Sequence, residues 1–144
     1  MQTKSLLLVS TAAALLSLAG CDTKVSQCNK LIDVVNKHTQ ALSTSIEKLA
    51  DVQNNPQVAD DFAKVVKTAN DEISALEFKD EKVAGFAKEY LGLLTEADKV
   101  GKSMAEAAKT SNVDTLTKAV EEADKLVKLE DTIVNNVNGY CQGS

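Results

Sequence analysis

The sequence predicts an all-α protein, an antiparallel up-down-up-down four-helix bundle that follows an apolar N-terminal leader. Three observations carry that prediction. Apolar residues recur every three or four positions through four long stretches, and no stretch alternates with period two. A single proline occurs in 144 residues, and the polar breaks between stretches are only a few residues long. Long amphipathic helices joined by tight turns have to pack antiparallel with their neighbours.

The first stripe is Val25, Cys28, Leu31/Ile32, Val35, Leu42, Ile46 and Leu49, with Lys30, Asp33, Lys37, Glu47 and Lys48 largely off it. It predicts a helix over about 25–50 that ends in the polar turn Asp51-Val52-Gln53-Asn54-Asn55-Pro56. Asn55 before Pro56 reads as an N-cap followed by proline at the first helical position. The second stripe, Val58, Phe62, Val65, Ala69, Ile73 and Leu76, is a nearly strict heptad and predicts a helix over about 56–77. Glu77-Phe78-Lys79 interrupts it, and Asp80 is placed to cap the next helix.

The third stripe runs Val83, Phe86/Ala87, Tyr90, Leu93/Leu94, Ala97, Met104 and Ala107/Ala108, predicting a helix over about 81–109. Gly92 and Gly101 lie inside it, each costing about 1 kcal/mol relative to alanine, so a local kink is expected there. Thr110-Ser111-Asn112 breaks the pattern and caps a fourth helix over about 112–140. That helix carries Val113, Leu116, Val120, Ala123, Val127, Ile133/Val134 and Val137, then Tyr140 and Cys141.

Upstream of the bundle, Lys4 precedes the apolar run from Ser5 to Leu18, which is too short to span a bilayer. The run closes in Leu18-Ala19-Gly20-Cys21: a branched apolar residue, two small ones and a cysteine. This resembles the lipobox of bacterial lipoproteins. The resemblance implies a signal peptide over residues 1–20, cleavage between Gly20 and Cys21, and lipid on Cys21. Acyl chains on Cys21 would anchor the chain stably, because each buried methylene contributes about 0.8 kcal/mol. Only Asp22-Thr23-Lys24 then separates the anchor from the bundle of residues 25–144, a tether reaching roughly 10–14 Å when extended. Asp22 matches the signal that retains some proteobacterial lipoproteins in the inner membrane.

Removal of residues 1–20 leaves 124 residues, enough for one domain with a real core. They carry 15 lysines against 21 acids, a net charge of −6, and no arginine. Arginine is the usual bidentate reader of phosphate, so this balance argues against a nucleic-acid partner. It argues equally against electrostatic binding to anionic lipid, which leaves the acyl chains as the membrane attachment.

The compartment implied by the lipobox is oxidising. Cys28 lies near the start of the first helix and Cys141 near the end of the fourth, and an antiparallel bundle puts those ends side by side. A Cys28–Cys141 disulfide is therefore expected. Closing so long a loop is worth up to about 4.7 kcal/mol in the chain-entropy model. The bonded end, with the turn around Phe78, would face the membrane.

No catalytic constellation emerges, and the chain is not expected to be an enzyme or to hold a metal or cofactor. His38 is the lone histidine and falls on or beside the inner stripe of the first helix. The paired Glu-x-x-His pattern of di-iron bundles is absent, and so is C-x-x-C-H. A haem held by His38 and Met104 is disfavoured by the mid-helix histidine and the few aromatics. Asp60-Asp61, Asp71-Glu72, Asp80-Glu81 and Glu121-Glu122 are adjacent pairs that diverge by about 100° on a helix, so they do not converge on a reacting atom. Glu121, Glu122 and Asp124 read as a solvated face rather than a cation site.

Gln27-Cys28-Asn29 near the start and Tyr140-Cys141-Gln142 near the end look like the cysteine contexts of small cyanobacterial-type helical lipoproteins. The general picture is similar to the lipidated helical-bundle subunits on the lumenal side of photosystem II, such as the Q-type extrinsic protein, in size, anchor and bundle class. The expected role is a non-enzymatic interaction or structural module on the periplasmic or lumenal side of a membrane, with a protein partner. Phe78, Leu126, Val127 and Leu129 are candidate docking residues. The alternative is a small-ligand carrier whose cavity lies near His38, Gly92 and Gly101.

Overall fold

A computed structural model describes residues 23–142. The cleavage site Gly20–Cys21 and the lipidation residue Cys21 lie outside the described residues. The four expected helices are present: α1 (Lys24–Leu49), α2 (Gln57–Ser74), α3 (Glu81–Lys109) and α4 (Val113–Gln142). Their order is up-down-up-down, and no strand occurs among the described residues.

Helix ends follow local chemistry. Thr23 Oγ1 accepts from the Ser26 amide at 3.2 Å, so α1 starts at Lys24, inside the expected tether. Pro56 adopts helical φ and ψ and α2 begins without a side-chain cap, so Asn55 does not supply the expected one. Asp80 caps α3 as expected, its Oδ1 accepting from the Lys82 and Val83 amides at 2.9 and 3.0 Å. Asn112 Oδ1 accepts from the Thr115 amide at 3.0 Å at the start of α4. Between α3 and α4, the Ser111 amide bonds Ala108 O and the Asn112 amide bonds Ala107 O, with Ser111 at φ 53°. That is a Schellman closure with serine where glycine is favoured.

The core is a continuous cluster running from Cys28, Leu31 and Val83 at one end to Leu49, Val52, Val58 and Met104. Tyr90, Leu31, Leu49, Ile73 and Leu94 are among its largest fully buried side chains. Burying one such side chain contributes about 1.5–3 kcal/mol. Four details differ from the expected stripes. Of the adjacent valines of α2, Val66 rather than Val65 is buried, and Gln27 is buried while Val25 is exposed. α2 stops at Ser74 rather than near 77, and Phe78 packs against the core instead of standing free. The shorter helix lets the following turn present its Lys79 and Asp80 amides to Gln27 Oε1, at 2.6 and 2.8 Å.

Packing around the bundle is uneven. α1 lies along α2, α2 along α3 and α3 along α4, but α1 and α4 touch no more than the diagonal pair α1 and α3. α1 and α4 are therefore the most loosely packed neighbours around the bundle.

Candidate functional site

The α1–α4 seam is built by two helices that share a floor. α4 repeats apolar residues at alternating spacings of three and four: Val113, Leu116, Val120, Ala123, Val127, then Val134, Val137 and Cys141. Such a heptad presents one continuous stripe. Its lower part meets α1, while in its upper part Val113, Val120 and Val127 are 64, 42 and 41% exposed. On α1 the facing residues are Leu42, Ile46 and Leu49, and α3 supplies the floor with Leu93, Leu94, Ala97 and Val100.

One end of the seam is closed. Cys28 and Cys141 are disulfide-bonded, with Sγ atoms 2.06 Å and Cα atoms 5.8 Å apart. Beside them Tyr140 donates to Asp80 Oδ2 at 3.0 Å, and its ring takes Phe86 edge-on at 5.8 Å and Lys24 Nζ at 4.0 Å. The amide bonds from Val83 and the Tyr140 hydroxyl hold the Asp80 carboxyl below the usual carboxylate range. This end therefore joins α1, α3 and α4 by covalent, polar and aromatic contacts together.

Midway along, a polar bridge crosses the seam. Tyr90 of α3 donates to Glu130 Oε1 of α4 at 2.6 Å, and Thr39 Oγ1 of α1 lies 3.0 Å from the same oxygen. Tyr90 is fully buried. Burial, and then the neighbouring Glu130 charge, push its phenol far above the ordinary 10.0. The bridge splits the seam into a small cavity of about 10 Å³ on the disulfide side and one of about 30 Å³ on the distal side. Such spaces hold little more than a water, against the 300 Å³ or more of a ligand pocket.

The other helices offer different surfaces. Troughs of about 320 and 480 Å³ run along the outside of α2 and α3, and part of their charge is paired. Lys102 pairs with Asp98 at 2.6 Å, and Lys67 pairs with Asp71. Across α1 and α2, Glu72 accepts from Lys37 Nζ at 2.7 Å and lies 3.0 Å from His38 Nε2, which holds the Glu72 carboxyl below its ordinary 4.5. His38 is buried in that contact, and Met104 lies in the core cluster. Among the described residues no three His, Cys, Asp or Glu side chains gather to hold a metal ion.

Neither a family model, nor a curated protein, nor a solved structure matches the chain. Its chemistry has to be read from the groove itself.

The expected residues distribute as follows. Cys28 and Cys141 come together. Leu126 and Val127 line the distal groove, whereas Leu129, 46% exposed, sits two positions further round α4 on its outer face. His38, Gly92 and Gly101 do not converge on one cavity: His38 faces α2, Gly92 faces open space, and Gly101 lies under the Phe62 ring. Thr39 and Glu130 were not singled out from the sequence, and Val113, Val120 and Tyr90 were read there only as members of the apolar stripes. The signal for Glu130 was present, as the one carboxylate interrupting the α4 heptad between Val127 and Val134.

Proposed function

We propose that this chain is a membrane-anchored bacterial lipoprotein, lipidated on Cys21, whose helical body is a protein-interaction module on the periplasmic or lumenal face. The observation that carries the reading is the loosely packed α1–α4 seam, edged by the exposed valines Val113, Val120 and Val127. Monomeric domains bury such stripes, and contiguous apolar patches mark sites of association. The lipobox supports the anchor, and the disulfide is in keeping with an oxidising compartment. None of the described helices is long and apolar enough to cross a membrane, so attachment in this reading rests on the lipid.

The arrangement of the two ends supports the same role. The chain enters α1 at the disulfide-bonded end, so an anchor on Cys21 would hold that end toward the bilayer. α1 has 26 residues and is about 39 Å long, which puts the open half of the groove well away from headgroups.

Two measurements test this. Radiolabelled palmitate should be incorporated by the natural chain and lost, along with membrane association, in Cys21→Ala. A photo-reactive amino acid at Val120 should cross-link one recurrent membrane-complex protein in living cells. No captured protein at Val120, with efficient capture elsewhere on the chain, would sink the interaction reading.

A further inference from the structure

We infer that the distal half of the α1–α4 groove takes a cationic amphipathic helix from its partner. This rests on the interaction-module reading and adds the chemistry of the occupant.

Shape is the first consideration. The groove sets Ala123, Leu126 and Val127 of α4 against Leu42, Ile46 and Leu49 of α1, and it lacks the depth for a globular ligand. An amphipathic helix laid in such a groove would use anchors at i, i+3, i+4 and i+7, matching Val113, Leu116, Val120, Ala123 and Val127. The groove itself is lined on α4 from Ala123 to Glu130, and the exposed valines Val120 and Val113 continue its edge to a total of about 25 Å, the length of about 17 helical residues. The docked segment would add to the loose α1–α4 packing and dry the exposed valines.

Charge decides which helix fits. On α4, Asp124 and Asp131 follow Val120 and Val127 by four residues and stand exposed on the same edge. On α1 the edge facing α4 carries Ser43, Glu47 and Ala50, all exposed. The α1 lysines point elsewhere: Lys37 bonds Glu72 of α2, and Lys48 acts on Asp61 of α2. Lys128, one row further out on α4, is four residues from Asp124 and three from Asp131, so it offsets one of these two carboxylates and leaves the α4 edge with a net charge of 1 − 2 = −1. Both rims are thus negative, with Glu130 negative between them. Two copies of this chain joined groove to groove would bring like-charged rims together, and anionic lipid would be repelled by the same rims. A helix with lysine or arginine along the edges of its apolar face would be attracted to both.

The chain contains no tryptophan, so a probe carrying one reports its own environment without background. Two 18-residue helical peptides with the same leucine stripe and a single tryptophan, one edged with lysine and the other with glutamate, are titrated onto the full chain in neutral phosphatidylcholine nanodiscs. Empty nanodiscs serve as the blank. The lysine peptide is expected to bind at least tenfold more tightly than the glutamate peptide and to weaken as salt rises. Val120→Asp with Val127→Asp, both at exposed positions, should reduce its affinity tenfold or more while helical content by circular dichroism stays unchanged. Asp124→Lys with Asp131→Lys should reverse the order of the two peptides, a result that misfolding cannot imitate. Equal binding, tighter binding of the glutamate peptide, or no binding of either overturns the inference.

Photo-cross-linking at Val120 separates this failure from that of the reading beneath it. Capture of a partner through a segment lacking basic edges keeps the interaction module and removes the cationic helix. Capture of a second copy of this chain likewise overturns the cationic helix.

Discussion

The Cys28–Cys141 bond offers the largest single perturbation. α1 and α4 pack less closely than the other neighbouring pairs, so their ends depend on the disulfide more than packed neighbours would. The two cysteines are 113 residues apart in sequence. In the chain-entropy model, a closed loop of that length restricts the unfolded chain by about 16 cal/mol/K, or roughly 4.8 kcal/mol at 25 °C. Domains of this size have a total stability of only about 5–15 kcal/mol, so the bond carries a large fraction of it. The bond can be removed by mutating Cys28→Ala and Cys141→Ala together, which leaves no unpaired thiol. With a urea slope of about 2 kcal/mol per molar, the unfolding midpoint should fall by roughly 2 M, with the helical signal in water retained. The natural chain in excess dithiol should behave in the same way. Titration of the denatured, unreduced protein should find neither cysteine free. A midpoint shift under roughly 0.5 M, with the bond verified as formed, would refute the reasoning. It would mean that the Gln27, Tyr140 and Asp80 contacts already hold this end together, or that the unfolded chain is compact enough to lose little entropy on cross-linking.

Four further substitutions have opposite or signed outcomes. Gly92→Ala should stabilise by about 0.4–1 kcal/mol, because a methyl there meets nothing within 4 Å and the helix gains propensity. Gly101→Ala should destabilise instead, since its methyl would stand 2.6 Å from Phe62 Cδ1 and overpacking costs about 1–3 kcal/mol; equal gains at both sites in thermal melts would contradict the packing. Ser111→Gly should raise stability by about 1 kcal/mol in the same melts, by relieving a side chain at φ 53°. The Glu72 pKa is depressed in the folded state, mainly by Lys37 and then His38, so its contribution is present above the ordinary 4.5 and lost as pH falls through the lower folded value. Acid titration of stability should therefore be shallower in Glu72→Gln than in the natural chain, and identical curves would exclude the role.

The parts of this fold that were legible in the sequence are those that periodicity alone determines. Four stripes gave four helices, and antiparallel order put Cys28 beside Cys141 without further information. What periodicity leaves open is rotation by one position and the identity of the neighbour. Val65 and Val66 are equally apolar, and only packing between α1 and α3 selects Val66 for the core. Gly92 and Gly101 look alike in one helix, yet one faces open space and the other admits Phe62. Phe78 resembled a free docking residue because nothing local shows that the turn folds back onto the core.

The groove was hidden for a related reason. Val120 and Val134 occupy equivalent positions of the α4 heptad, so the pattern assigns them the same burial, and whether α1 lies opposite is a property of another part of the chain. The change occurs at Glu130. A carboxylate in the stripe has to be hydrogen-bonded when it turns inward, and Tyr90 and Thr39 supply those bonds across the seam. On the disulfide side of that bridge the helices close over the stripe, and on the far side they leave it to solvent. Glu130 therefore marks the boundary between the part of α4 whose stripe the bundle covers and the part whose valines stay exposed.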